Sequence, residues 1–289
     1  NIYISQVLEP RGTIESLSAY PVSGSYIDMA VENNLLLILK NSKLETVDFS
    51  NPVNPVKVGE CNIPGTPSSI LLRGNYAYIG TGLSGIMIID ISNPYNPVEV
   101  NSTPSGNVIR IESCGNRLYS FGDSYDINIF DISCSTSPVV VGDFTYNMYS
   151  DNGVITMNYD GMKVLDSYLY VCEDGGIKIY DVSNPAAVVE SGFYSMFYPK
   201  ILNINAEYAY LTGYTSVALY ILNLSNPLSP QQTYKYIHSA SDALRNESVS
   251  GKYAFILGYE NKQSILMLDI TNPAAPVEIG QYALVEFTP

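Results

Sequence analysis

The chain has 289 residues, 46% of them hydrophobic, with 28 acidic against 14 basic side chains and a formal net charge of -14. Apolar material on that scale supports a sizeable core and excludes a disordered chain. So few cations speak against nucleic-acid binding, which takes clustered Lys and Arg, and no apolar run reaches the roughly 20 residues that cross a bilayer as a helix.

Tyr is abundant, at 25 copies against 8 Phe and no Trp. It suits strands whose rings are half buried while the hydroxyls reach water or backbone; an adhesive or sugar-stacking surface is the alternative. A start at Asn1 rather than Met reads as a processed chain or a portion excised from a longer one.

In chain order, residues 1–25 come first, with strand signals at Ile2 to Ser5 and Glu15 to Pro21. From Tyr26 the chain repeats. Asp48-Phe49-Ser50-Asn51-Pro52 returns as Asp90-Ile91-Ser92-Asn93-Pro94, Asp181-Val182-Ser183-Asn184-Pro185 and Asp269-Ile270-Thr271-Asn272-Pro273. Asp131-Ile132-Ser133-Cys134 and Asn223-Leu224-Ser225-Asn226-Pro227 are looser copies. The first positions 48, 90, 131, 181, 223 and 269 lie 42, 41, 50, 42 and 46 residues apart.

Each repeat carries four strand signals. In the second they are Ser68 to Leu72, Tyr76 to Gly80, Gly85 to Ile91 and Pro97 to Thr103, with a tight turn at Arg73-Gly74-Asn75. The Tyr-x-Tyr opening of the second strand returns at Tyr168 and Tyr170 and at Tyr208 and Tyr210, with Tyr253 and Phe255 as a variant. Period-two spacing places both rings on one face, against the next sheet. In the Asp-x-Ser-Asn-Pro segment, Asp, Ser and Asn side chains bond nearby backbone amides and Pro forbids further pairing, so the third strand ends there. Sixfold recurrence makes this segment a turn and not a catalytic centre.

Four-stranded sheets at a period of 40 to 45 residues predict an all-β fold, a β-propeller of four-stranded antiparallel blades. The count from Tyr26 to Tyr282 is six blades, with seven as the alternative. Residues 1–25 form an N-terminal extension expected to pair at the ring closure, and residues 26–289 form the propeller.

The runs Met87-Ile88-Ile89-Asp90-Ile91-Ser92-Asn93-Pro94 and Ile177-Lys178-Ile179-Tyr180-Asp181-Val182-Ser183-Asn184-Pro185 resemble the LVIVD repeat. That family is similar to other surface-exposed or secreted microbial propellers, and the resemblance implies an extracellular or cell-surface location without specifying an activity.

The long spacings mark the candidate ligand face, formed by loops from the fourth strand to the next first strand and from the second to the third. The insertion from Tyr146 to Gly161 carries Tyr146, Tyr149, Asp151 and Asp160; Tyr194 and Tyr198 follow; and Tyr236 stands beside the sole histidine, His238. Such an aromatic, acidic rim suits sugar rings or a protein, and the alternative is a loop packed on its own aromatics.

One histidine speaks against a clustered metal centre and a Ser-His-Asp triad, and there is no phosphate loop. Paired carboxylates among Asp151, Asp160, Glu173 and Asp174 keep an enzyme acting on extracellular carbohydrate as the alternative. Cys172-Glu173-Asp174-Gly175-Gly176 reads as a hairpin turn; as a calcium loop it lacks the spaced acids, and no other cofactor is expected. The four cysteines allow three full pairings, of which a bridge between Cys114 and Cys134, at one end of the third repeat, is the expected one. Asn101, Asn223 and Asn246 head N-glycosylation sequons, in keeping with export. The function expected is a non-enzymatic surface module for interaction, adhesion or assembly, its partner a protein, a glycan or a second copy of the chain.

Overall fold

The computed structural model describes residues 2–8, 13–21, 24–122, 126–145, 161–173, 175–196, 199–213, 218–237, 243–259 and 264–283. Their regular structure is all β, and no helix among them is long and apolar enough to cross a membrane. Strands β1 (Ile2–Leu8) and β2 (Thr13–Tyr20) pair with each other in a two-stranded sheet.

Six four-stranded antiparallel blades follow, so the count of six holds. Blade 1 is β3 (Tyr26–Glu32), β4 (Leu35–Lys40), β5 (Lys43–Asp48) and β6 (Val56–Asn62). Blade 2 is β7 (Ser69–Arg73), β8 (Tyr76–Gly80), β9 (Ile86–Asp90) and β10 (Val98–Thr103). Blade 3 is β11 (Val108–Cys114), β12 (Arg117–Gly122), β13 (Asp126–Asp131) and β14 (Val139–Thr145). Blade 4 is β15 (Met162–Leu165), β16 (Tyr168–Glu173), β17 (Gly176–Asp181) and β18 (Val189–Ser195). Blade 5 is β19 (Pro199–Asn205), β20 (Tyr208–Gly213), β21 (Ala218–Asn223) and β22 (Gln231–Ile237); blade 6 is β23 (Ala243–Ser250), β24 (Tyr253–Tyr259), β25 (Ser264–Asp269) and β26 (Val277–Ala283).

The chain divides into two compact units, one holding Ser16–Asn147 with Asn1–Gln6 and Pro185–Ala187, the other Val7–Glu15, Met148–Asn184 and Val188–Pro289. Within the first, Leu37, Leu39 and Leu44 of blade 1 pack on Ala77, Ile79 and Ile89 of blade 2. Tyr78, Ile86 and Ile88 of blade 2 pack in turn on Leu118 and Phe130 of blade 3. Tyr20 of β2 lies on the other face of blade 1, against Leu36, Ile38 and Val47. Within the second unit, Tyr170 and Ile179 of blade 4 meet Leu202 and Leu211 of blade 5, and Tyr210 and Ile221 of blade 5 meet Ala254 and Ile256 of blade 6.

The Tyr-x-Tyr rings share these interfaces as expected. Tyr78, Tyr170 and Tyr210 are buried, with Tyr76, Tyr168 and Tyr208 half-buried in the same clusters. Burial pushes the phenols of Tyr170 and Tyr210 up to about 12. The hydroxyl of Tyr78 donates to the carbonyl of Ser135, in the turn of the next blade, at 2.9 Å.

All six turns close alike, including the two looser copies. The amides of Ser50, Ser92, Ser133, Ser183, Ser225 and Thr271 donate at 2.7–2.9 Å to the side chain two residues before. At Asn223 an amide oxygen performs the role of the aspartate.

Every outer strand carries a bulge, with register shifts opposite Thr46, Ile129, Ile179, Ile221 and Met267 and, in blade 2, between Glu99 and Asn101. The residue after the bulge is Gly59, Gly142, Gly192 and Gly280 in four blades. At three of these a neighbouring turn fills the missing side chain's place: a Cβ on Gly59 would overlap the carbonyl oxygen of Pro94, one on Gly142 that of Pro185 in the same compact unit, and one on Gly192 would lie 2.6 Å from that of Leu228. Thr46 secures the first contact, its hydroxyl donating to the Pro94 carbonyl at 2.6 Å. Blade 2 has Asn101 instead, and its amide donates to the carbonyl of Thr136, in the next blade's turn, at 2.8 Å.

Two predictions follow from the notch and the turn. Gly59→Ala and Gly192→Ala should each cost about 1–3 kcal/mol, the range for overpacking a filled site, read from the urea midpoint of purified protein. The second concerns acid. Hydrogen bonds from Ser92 hold the Asp90 carboxyl below its ordinary value, and Asp48, Asp131, Asp181 and Asp269 are lowered in the same way. A carboxyl depressed by folding contributes stability above its unfolded value, near 4, and loses it as pH falls through the folded value. Asp90→Asn keeps the turn bond without the charge, so the wild type's stability advantage over it should shrink between pH 7 and pH 3 in paired urea titrations.

Candidate functional site

The recurring blades give a reference against which exceptions stand out. Five and three residues before the turn, the blades carry Lys43 and Glu45, Gly85 and Met87, Gly176 and Lys178, Ala218 and Tyr220, and Ser264 and Leu266; blade 3 alone carries Asp126 and Asn128. Asp126 lies opposite Thr145 and Asn128 opposite Asp143, so four polar side chains share one face of the β13–β14 ladder. Ser120 extends the row on β12, opposite Asn128.

This row opens into a recess of about 490 Å3 at the loop end of the blade 2–blade 3 interface. Asp126, Asn128 and Asp143 form one side, and the connection from β10 to β11, with Ser105 and Asn107, forms another. Ser105 and Ser120 share a hydroxyl hydrogen bond at 2.7 Å, and the Thr145 hydroxyl donates to Asp126 at 2.8 Å. Both aspartates are exposed, and among the described residues no Lys or Arg pairs with either.

Buried charges elsewhere are neutralised internally. Glu45, in blade 1, is held by Lys40 at 2.8 Å and Lys57 at 3.2 Å, and in blade 4 Lys178 lies 3.4 Å from Glu173. A second cleft, about 360 Å3 at the turn end of blades 1 and 2, is lined by Asp48, Asn75 and Pro94, from turns that recur in each blade, and we assign it to blade packing.

The loop from Thr81 to Gly85 packs against the connection from β10 to β11, part of which lines the recess, and is tightly closed. Thr81 and Gly85 bond through backbone amide and hydroxyl at 2.8 and 3.0 Å, and Val108 donates to the Gly82 carbonyl at 3.1 Å. Gly82 and Gly85 have φ of 58° and 86°, and a Cβ on Gly85 would overlap the backbone of Thr103 and Ser105. At the tip, Leu83 is 85% exposed.

Of the residues singled out by sequence, Tyr146, Tyr149, Asp151, Asp160, Tyr198 and His238 lie outside the described residues, as does Asp174. Tyr194 and Tyr236 occupy equivalent positions on β18 and β22, opposite Ile177 and Leu219, where blade 3 has Phe144 and blade 6 Tyr282. Both rings are half-buried against the core clusters of their blades, and the Tyr236 hydroxyl donates to Glu278 at 2.7 Å. Recurrence and burial assign these two to packing.

The bridge expected between Cys114 and Cys134 is not made: all four cysteines are thiols. Cys114 pairs with Arg117, which pairs with Asp131. Strand β12 therefore lies between β11, which Cys114 ends, and β13, whose following turn holds Cys134. Two of the three sequons are structurally committed, Asn101 to the Thr136 carbonyl and Asn223 to its own turn.

The sequence profile of the LVIVD repeat matches residues 21–63, 64–103, 160–196 and 245–283, just over half of the chain. No curated protein matches it in sequence. Among solved structures, a Lactobacillus plantarum protein aligns with a TM-score of 0.74 at 9% identity, over 97% of this chain and 91% of that one. The periplasmic gluconolactonase of Pseudomonas aeruginosa aligns at 0.70 and 10% identity, over 98% and 92%. BamB of Moraxella catarrhalis aligns at 0.62 and 11%, over 97% and 86%. At such identities the likeness is one of fold.

If the blade 3 acids serve a site and not the fold, removing their charge should leave stability intact. The double substitution Asp126→Asn and Asp143→Asn should change the unfolding free energy by no more than about 0.5 kcal/mol, as for surface positions generally, measured by urea denaturation at pH 7.

Proposed function

The chain belongs to the LVIVD repeat family, and from that premise we propose that it is a non-enzymatic extracellular or cell-surface interaction module that engages its partner through the loop end of blades 2 and 3. The observation that carries this reading is the cluster of Asp126, Asn128 and Asp143 at the recess, whose aspartates no Lys or Arg among the described residues neutralises, whereas blade 1 has Lys43, Glu45 and Glu60 at the same positions and pairs its acids with lysines. These three line a polar recess at the loop end of the blades. Loops at that end vary without disturbing the strands.

The second reading is a hydrolase of extracellular carbohydrate or lactone. Asp126 and Asp143 lie diagonally across one face of the ladder, an arrangement of two neighbouring carboxylates that glycoside hydrolysis also uses. The gluconolactonase of similar fold lends it context only. Both aspartates are exposed, so the site lacks the apolar enclosure that usually makes a carboxyl a general acid.

One experiment separates the two. Wild type and the Asp126→Asn/Asp143→Asn variant are incubated with arrays of glycans, sugar lactones and peptides, and both retention and products are followed. The module reading expects saturable retention, at least tenfold weaker in the variant, with no product. Product formed by the wild type and lost in the variant would establish the hydrolase instead.

A further inference from the structure

We propose that the partner at this site is a basic polypeptide segment, its Lys or Arg side chain seated in the blade 3 recess and an adjoining apolar side chain resting on Leu83. The inference rests on the interaction-module reading and supplies the chemistry of the partner.

Three observations converge. The first is Leu83. A leucine 85% exposed at a loop tip contributes nothing to the core, and the loop that presents it is held by hydrogen bonds at both ends. An exposed apolar side chain on a braced loop loses little freedom on binding, which is the property of an interface anchor.

The second is the adjacent recess. Gly82 and Gly85, on either side of the Leu83 tip, lie against Asn107 and Ser105, which line it. The loop that carries the tip is therefore in contact with the connection that lines the recess. A volume of about 490 Å3 admits a whole side chain.

The third is charge. Asp126 and Asp143 face the recess with no cation from the described residues to neutralise them, whereas Glu45 and Glu173 elsewhere are paired. Asn107, Asn128 and Ser105 add acceptors for an ammonium or guanidinium. A second copy of the chain would bring its own net charge of -14 to an acidic surface, so like copies repel. Among the described residues that line the recess, none carries an aromatic ring on which a sugar would stack.

The test uses three fluorescein-labelled twelve-residue peptides, alternating Lys-Leu, Lys-Ser and Glu-Leu, titrated with the protein and followed by anisotropy. The Lys-Leu peptide should bind saturably and the Glu-Leu peptide should not. Leu83→Ser should weaken the Lys-Leu complex about tenfold and bring it near the Lys-Ser value. Asp126→Asn/Asp143→Asn should weaken it by a similar factor and flatten its salt dependence. Both changes lie at exposed positions, so folding is not at issue. Lys-Leu binding left unchanged by both variants would overturn the proposal. Retention of a glycan through the same aspartates, without peptide binding, would overturn it while leaving the interaction module standing; no retention of any class would remove both.

Discussion

Blade-to-blade docking is the constraint on which the rest of this molecule depends. A sheet of four short strands cannot bury its own faces, and here each outer strand bulges, in several blades just before a glycine. At Gly59 and Gly192 the cleared space receives a backbone carbonyl from the neighbouring turn. Asn101 achieves the same end by hydrogen bonding, and it faces the one turn that has Cys134 where others have Asn. The turn is thus both the stop of one strand and the key that fits the adjoining blade. The same bulges twist the outer edges away from regular pairing, a known protection against edge-to-edge aggregation.

That division of labour leaves one end of the blades free. The turn end is occupied by Asx bonds, Tyr78 and the notch contacts, so change there disturbs packing. Among the described residues, the opposite end carries the loop from Thr81 to Gly85 and the connection from β10 to β11. The blade 3 acids, the Ser105–Ser120 pair and the Leu83 tip all lie at that free end, on a rigid floor of strands. Rigid placement of a few polar and apolar groups is what a specific, preorganised surface requires.

Much of this architecture was legible in the sequence because repetition amplifies weak signals. The Asp-x-Ser-Asn-Pro turn, the four strands, the buried second tyrosine and the count of six all recur at fixed offsets. The bulges were not legible, since register belongs to a pair of strands and leaves no mark on one strand alone. The Cys114–Cys134 expectation failed because it judged proximity by the end of the blade and ignored the strand between them. The site was sought around the insertions, which drew attention to Tyr194 and Tyr236, whose rings are half-buried in the core clusters of their blades. The more telling signal was the make-up of one blade: Asp126 and Asn128 stand where no other blade has an Asp-x-Asn pair.

Native-state hydrogen exchange of the turn amides tests the docking account most directly. Ser50, Ser92 and Ser225 are surface residues whose amides bond only within their turns, and a turn fastened to its neighbour opens only when the blades part. Exchange of these amides with an opening free energy close to that of interior strand residues such as Ile88 and Leu222 is the result predicted. Exchange at a small fraction of that value, as in a fraying loop, would show that the turns are ornaments on the blades and that something else holds them together.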